Sequence, residues 1–514
     1  MPPNATRIDA LFPVPSPPPS PLSPARLPGG AHESSLALCR TLIENHTKHH
    51  VFFNDKGFHN FRSHISHHLL AIYQLGASGP LLEAAYEVHA PSQRPAFKSP
   101  EAITKDNFHE HLGDEKFYNA YLEFFSTLLL DKGAAAIIEE YIFSPKANVL
   151  APAVGQPPLG MLDRFLSGLL HPLIHVGYGA EFGLLGMVAE GRHDVIGLAQ
   201  TAVHPPEAPV LVPPSLFSYI AEASSDLANA SVSRLTAFKQ DKSKIHALTI
   251  VAQILHNRDF EPSAIGLPPS DDGDATAFEL VLEKRGERIV KLAQAWTVDG
   301  TNADEVASKI EELIWMNVVL YGAAGWVGRK EVENGEFNAD FLLLHLVTSS
   351  LFLHSLTAYL SPTSTSILLR TYLANCLAWW VARGRPPLPI QDFYASVSAH
   401  PIERGAPHTQ PGKDTLTASD PSPNPWLPIL QTTLGHPDDH LCKLQRALAH
   451  FAALYGTTPA GHFAPLSDVN GAPLEGAEVL DGTLFLRVAG LSANRLGWMR
   501  EGEGNKGWDF KGFL

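Results

Sequence analysis

The sequence predicts a large, all-α globular protein, and three observations carry that reading. Apolar residues recur at three- and four-residue spacing over most of the chain, the period that lines up one face of a helix. Strict apolar–polar alternation, the mark of a half-buried strand, is scarce. Breaks rich in Pro, Gly, Ser and Asp divide the periodic stretches into helix-sized lengths.

The elements follow in order. Residues 1–32 form a Pro-rich flexible N-terminus, because LFPVPSPPPSPLSPARLPGG at 11–30 holds too many prolines for a helix or a ladder and favours a polyproline-like chain. The helical domain then spans 33–514. Helical periodicity is clear near 34–48, 60–76, 79–89, 115–131 and 163–190; after a Pro-rich break at 203–214 it resumes near 215–229, 236–256, 276–297, 303–318, 338–360 and 364–383. A segment at 385–428, rich in Pro, Ser, Thr and Asp, predicts a long surface excursion. A helix near 438–455 comes next. VLDGTLFLRVA at 479–489 has a DG turn between apolar residues and predicts a minor C-terminal β-hairpin. Gly322-Ala-Ala-Gly325-Trp-Val-Gly328 follows a helix rather than a strand, lacks the GxGxxG spacing, and predicts a turn.

Composition narrows the function classes. With 514 residues the chain can bury a sizeable core. A formal net charge of −15 opposes a phosphate-gripping surface, so nucleic acid is not an expected partner. No apolar run approaches the roughly 20 residues of a membrane span and no secretory leader is apparent, so the expectation is a cytoplasmic protein without membrane contact. Cys39, Cys376 and Cys442 are odd in number and form no CxxC pair, which fits a reducing compartment. No P-loop, GxSxG or dinucleotide fingerprint is present.

Histidine stands out: 25 residues, roughly twice average usage. In FHNFRSHISHHLLAIYQLG (58–76), His64 and His68 are four apart and would share a helix face, with His67 close to it. His171 and His175 repeat the spacing around Pro172, which either opens a helix there or kinks it. His345 lies in FLLLHLVTSSLFLHSL, apolar on all sides and therefore buried; His354 falls on another flank. A single buried histidine commonly just donates to a carbonyl. Three apolar helices with inward histidines point instead to a shared metal or acid/base site, the alternative being a polar network without chemistry. Thiolate-free, imidazole-rich ligation suits Fe, Zn, Cu or Ni alike. Tyr178, and Trp379 and Trp380 beside Arg383 and Arg385, could wall an aromatic pocket, against the plainer reading of core aromatics.

HISHHLLAIYQLGAS at 64–78, HPLIHVGYGAEFG at 171–183, FLLLHLVTSSLFL at 341–353, AWWVARGRP at 378–386 and GWDFKGFL at 507–514 resemble the questin oxidase-like family, found widely in fungal polyketide gene clusters. The likeness runs over most of the chain and makes 33–514 one catalytic domain. It implies an oxidoreductase that uses dioxygen to open a ring of a polycyclic aromatic polyketide of anthraquinone type. It also implies a non-haem iron held by His64, His68, His171 and His345, with His67 and His175 as near substitutes or supporting groups. His175 is the expected proton donor or base, and Tyr178, Trp379 and Trp380 are the expected substrate walls. NADPH is expected only as an external reductant. One family member has a carboxylated lysine as a further ligand; no lysine lies between Lys330 and Lys413, so such a ligand soon after His345 has no counterpart. Competing readings are a metal-free or NADPH-dependent Baeyer–Villiger-type monooxygenase, and a non-catalytic binder of hydrophobic aromatic intermediates.

Overall fold

The computed structural model describes residues 3–50, 64–152, 155–190, 198–217, 245–268, 274–327, 337–405, 411–416 and 422–514. The principal helices are α1 (Pro3–Leu11), α2 (His32–Lys48), α3 (Ile65–Gln74), α4 (Gly79–His89), α5 (Tyr118–Lys132), α6 (Met161–Phe182), α7 (Asp274–Ala295), α8 (Ala303–Val327), α9 (Phe341–Ser350), α10 (Pro362–Ala382), α11 (Asp439–Tyr455) and α12 (Leu484–Leu496). Among the described residues, strand pairing is confined to His49–His50 against Arg94–Pro95 and two isolated bridges. The fold is all-α. The predicted helix over 215–229 and the first part of 236–256 fall outside the described residues, apart from 215–217.

At the centre, α6, α9 and α10 are buried over almost their whole surface, and α8 over its C-terminal two-thirds. Such all-round apolar helices are stable only inside a shell of others, which α7, α11 and α12 help to supply. The four segments that matter below meet here: α3 packs on α6 and α11, and α9 packs on α6 and α11.

Three expectations are corrected. The C-terminal β-hairpin does not form; 484–496 is helix α12, preceded by a 3-10 turn at Ala477–Val479. Phe485, Val488, Ala489, Ser492, Ala493 and Leu496 are buried at helical spacing, and the DG turn serves as a helix start, with Asp481 accepting from the backbone N–H of Thr483. A local alternation of apolar residues had masked a longer 3.6-residue period. The Gly322–Gly325 stretch is not a turn either: α8 runs through it, and Gly322 lets Val488 of α12 approach the backbone. The N-terminus, finally, is not a free lead-in. Residues 12–30 run as an extended strap across the body, where Phe12 is buried against His46, Ser16 N–H donates to the Phe182 carbonyl, and Ser23 hydrogen-bonds Ser355 at 2.8 Å. Proline excludes the helix but leaves carbonyls and apolar rings free to dock.

The break in α6 matters most for the site. Gly168, Leu169 and Leu170 all have left-handed backbone (φ 55°, 55° and 65°), so the helix stops, turns and restarts just ahead of His171. Pro172 then sits in the first turn of the restarted segment, where its missing N–H costs nothing. The turn is held from outside: Glu207 accepts from the Gly168 N–H (2.8 Å), Ser167 Oγ donates to the Asp163 carbonyl (2.8 Å), and Asp163 accepts from the Ala208 N–H (2.9 Å).

Candidate metal centre

Four histidines from four segments converge in the core. His64 is the N-cap of α3, His171 follows the left-handed turn of α6, His345 lies in α9, and His440 opens α11. All are at most 2% exposed. Ring centroids are 5.0 Å apart for His64–His171, 5.0 Å for His64–His440, 4.6 Å for His171–His345 and 5.2 Å for His345–His440. One nitrogen each from His64, His171 and His440 lies within 4.8 Å of the others, close enough to share an ion.

The tautomers are set by the surroundings. His171 Nδ1–H donates to the Gly168 carbonyl (2.5 Å), His345 Nδ1–H to the Phe341 carbonyl (2.7 Å), and His440 Nδ1–H to Asp439 Oδ1 (2.9 Å). Each Nε2 therefore carries a lone pair, and all three, with both nitrogens of His64, are buried without a hydrogen-bond partner. Leaving one such atom unsatisfied costs about 1–3 kcal/mol. A backbone or carboxylate partner at Nδ1 and a bare Nε2 is how ligating histidines are usually held. Burial, reinforced by Lys443 and the neighbouring imidazoles, pushes His64, His171 and His345 far below the usual imidazole range. They stay neutral, the form that binds metal. The donor set fits a divalent transition-metal ion.

Two residues at the centre were missed in the sequence. His440 brings the fourth imidazole. Lys443, one turn further along α11, is buried with Nζ unpartnered, and burial lowers its pKa. The lysine that reaches the histidines thus lies well beyond the 330–413 interval. Their signal was His440 and Lys443 at i, i+3 on the same side of an amphipathic helix as Ala447, a polar pair where apolar residues belong. Burial works to raise the Asp439 carboxyl, yet His440 and Lys443 outweigh it and hold the group below the usual carboxylate range.

Of the expected site residues, His64, His171 and His345 come together, whereas His68 is set apart. It faces His89, with Nδ1 to Nε2 at 2.8 Å, and is absent from the convergent group. The four-residue spacing misled because His64 is not helical (φ −109°, ψ 46°), so it does not share the α3 face on which His68 lies. His67 and His175 form a second layer: His67 Nε2 is 3.1 Å from His175 Nδ1, and His175 Nε2 is 3.2 Å from Glu190 Oε2. Tyr178 stacks on His67 (4.8 Å) under Arg446, which pairs with Glu181. Trp379 instead lies flat on Phe278 of α7 (4.0 Å), and Trp380 is fully buried in α10.

Fold and site together define an all-helical protein that gathers buried imidazoles from distant parts of the chain around one centre. The chain belongs to the questin oxidase-like family, whose sequence profile matches residues 58–448. It is 26% identical to the oxidoreductase AflY of Aspergillus parasiticus, over 83% of this chain and 76% of that protein. It is also 26% identical to the questin oxidase of Aspergillus terreus, over 82% and 80%, and 36% identical to the Baeyer-Villiger oxidase AgnL3 of Paecilomyces divaricatus over a shorter stretch, 32% and 36%.

Proposed function

We propose that this chain is an oxidoreductase that uses dioxygen to open a ring of an aromatic polyketide of anthraquinone type, with a non-haem iron as its resident metal. The single observation that carries the metal is the set of buried, unpartnered imidazole nitrogens on His64, His171, His345 and His440. The reaction class rests on the relatives, which are named questin oxidase and Baeyer-Villiger oxidase. His64, His171, His345 and His440 would hold the ion, with Lys443 beside them. Bound iron supplies the one-electron chemistry that lets dioxygen react with an organic molecule.

The chain's own residues do the rest. The Gly168 and Phe341 carbonyls and the Asp439 carboxylate fix three rings by their Nδ1–H bonds, so the donors need no reorganisation. The apolar surfaces of α6, α9 and α10 keep water from the centre. His175, pushed well below the usual imidazole range by burial, is neutral and engaged on both nitrogens by His67 and Glu190, so its part in acid–base chemistry is to support His67 rather than to touch the substrate. NADPH acts as an external reductant, since the sequence carries no dinucleotide fingerprint. Among the described residues no helix is long and apolar enough to cross a membrane, and we place the protein in the cytoplasm.

Elemental analysis and dioxygen uptake with questin as the probe test this reading. About one iron per chain is expected, lost in folded His171→Ala and His440→Ala but retained in His68→Ala. Questin-dependent dioxygen uptake by metal-free protein would overturn the iron assignment and leave the metal-free monooxygenase.

A further inference from the structure

The strap at 12–30 carries the dipeptide Ser-Pro three times, at Ser16-Pro17, Ser20-Pro21 and Ser23-Pro24, and the fold treats the three serines differently. Phe12 is buried and Pro15 and Pro18 are half-buried, three residues apart as on one edge of a polyproline helix. Pro13, Val14, Ser16, Pro17 and Pro19 are exposed, so Ser16 stands on the outer side of an extended chain. Ser20 is half-buried, and its Oγ accepts from the Leu22 N–H at 3.2 Å. Ser23 is 4% exposed and bonded to Ser355, in the best-anchored part of the strap. There the Leu22 carbonyl accepts from His450 (3.0 Å) and the Leu27 N–H donates to the Gln74 carbonyl (2.8 Å).

Ser16 holds the end of α6. Phe182 is the last residue of that helix, and a final-turn carbonyl has no partner within the helix itself. Ser16 provides one from the strap: its N–H donates to the Phe182 carbonyl at 3.0 Å and its Oγ–H at 3.3 Å. Gly183, in left-handed backbone (φ 69°), lies so close to the hydroxyl that a Cβ there would collide with Ser16 Oγ. A phosphate on Ser16 reverses this contact. The Oγ–H donor is lost, three oxygens must find room beside Gly183, and a charge of about −1.5 to −2 meets the helix end at which the macrodipole is already negative.

We propose that Ser16 is a phosphorylation site for a proline-directed protein kinase, and that its modification releases residues 13–19 of the strap from the end of α6. The phosphoryl donor is MgATP. The Ser16 O–H bond breaks and its proton passes to the kinase's base; the bond between the γ-phosphorus and the bridging oxygen breaks; an Oγ–P bond forms and ADP leaves. No oxidation state changes. Proline after the serine and an extended, exposed backbone are the features such a kinase reads, and Ser16 combines them in the folded chain. Ser23 has the same following proline, but reaching it requires the anchored part of the strap to open as well.

The test uses the folded full-length chain, a proline-directed serine kinase and MgATP, with phosphate located by mass spectrometry. Ser16 should be labelled at least about ten-fold faster than Ser23, as expected when one site opens locally and the other only with its anchors. Hydrogen exchange then reads the release. Val14, Ser16 and Ser20 are the residues bearing an N–H between Pro13 and Pro21, so few amides report on this segment. Exchange there should quicken on the order of ten-fold after labelling, the scale of one lost hydrogen bond. Ser16→Glu should exchange faster than Ser16→Ala, which loses the donor without adding charge; circular dichroism verifies that both variants fold. Absence of label on Ser16, equal labelling of Ser16 and Ser23, or exchange unchanged by the phosphate would each overturn the proposal.

Discussion

The indole N–H of Trp508 donates to Asp438 Oδ2 at 3.0 Å, so the C-terminal tail holds the N-cap of the helix that carries His440. The next residue grips a second helix of the centre: Asp509 N–H donates to the Ala339 carbonyl (2.9 Å) and its own carbonyl accepts from Phe341 N–H (2.7 Å), at the start of α9. Arg383 closes the clamp, binding the Asp340 carboxylate at 2.6 Å and the Phe510 carbonyl at 2.8 Å. Asp340 in turn caps α9 by accepting from Leu342 and Leu343 N–H. A tail remote in sequence thereby sets where His345 and His440 stand.

Removing residues 507–514 should therefore release bound metal while most helices remain. Trp508→Phe, which deletes one hydrogen bond and little volume, should cost about 1 kcal/mol of stability. Elemental analysis and circular dichroism check both; a truncated protein with undiminished metal would show that the clamp does not position the ligands.

Gly168 opens the left-handed turn whose carbonyl orients His171. A side chain is strained at that φ, so Gly168→Ala should destabilise by about 1 kcal/mol. Its metal affinity should fall by more than a stability loss of that size explains, because the His171 acceptor moves with the turn. Chelator competition measures the affinity, and urea unfolding the stability. An unchanged affinity would mean that the turn does not aim His171.

Stability should also fall on mild acidification. Burial pushes His354 and His450 down to about 4, with His450 lowering His354 further. The unfolded chain titrates near 6.5, so between 6.5 and 4 it binds protons that the fold refuses. The stabilisation is complete above 6.5 and is lost as pH falls toward 4, by about 2 kcal/mol through His354 at a pH near 5. His450 also donates to the Leu22 carbonyl (3.0 Å), so the 12–30 strap should become more open to proteolysis over the same window. His354→Leu should unfold at higher urea than the wild type near pH 5; an identical midpoint there would refute this origin of the acid sensitivity.

Periodicity alone was enough to read the all-α class, the helix at Gly79–His89 and the burial of His345, because a helix repeats its own chemistry every 3.6 residues. It was also enough to bring histidine forward, and with it His64, His171 and His345. What spacing could not supply was the partner of each ring. His64 and His68 lie four apart, yet one caps a helix and faces His171 while the other faces His89. HPDDH at 436–440 repeats the four-residue histidine spacing of HPLIH at 171–175 and so carried a legible mark, but His440 and Lys443 join the centre because α11 packs across α3 and α9. The hairpin misreading at 479–489 has the same root, since a short alternation is compatible with both periods until burial selects one. Local sequence determined which segments became helices and which of them were apolar enough to be buried. Only tertiary packing decided which four imidazoles share a centre, because the lone pairs that make a site are oriented by carbonyls and carboxylates contributed from elsewhere in the fold.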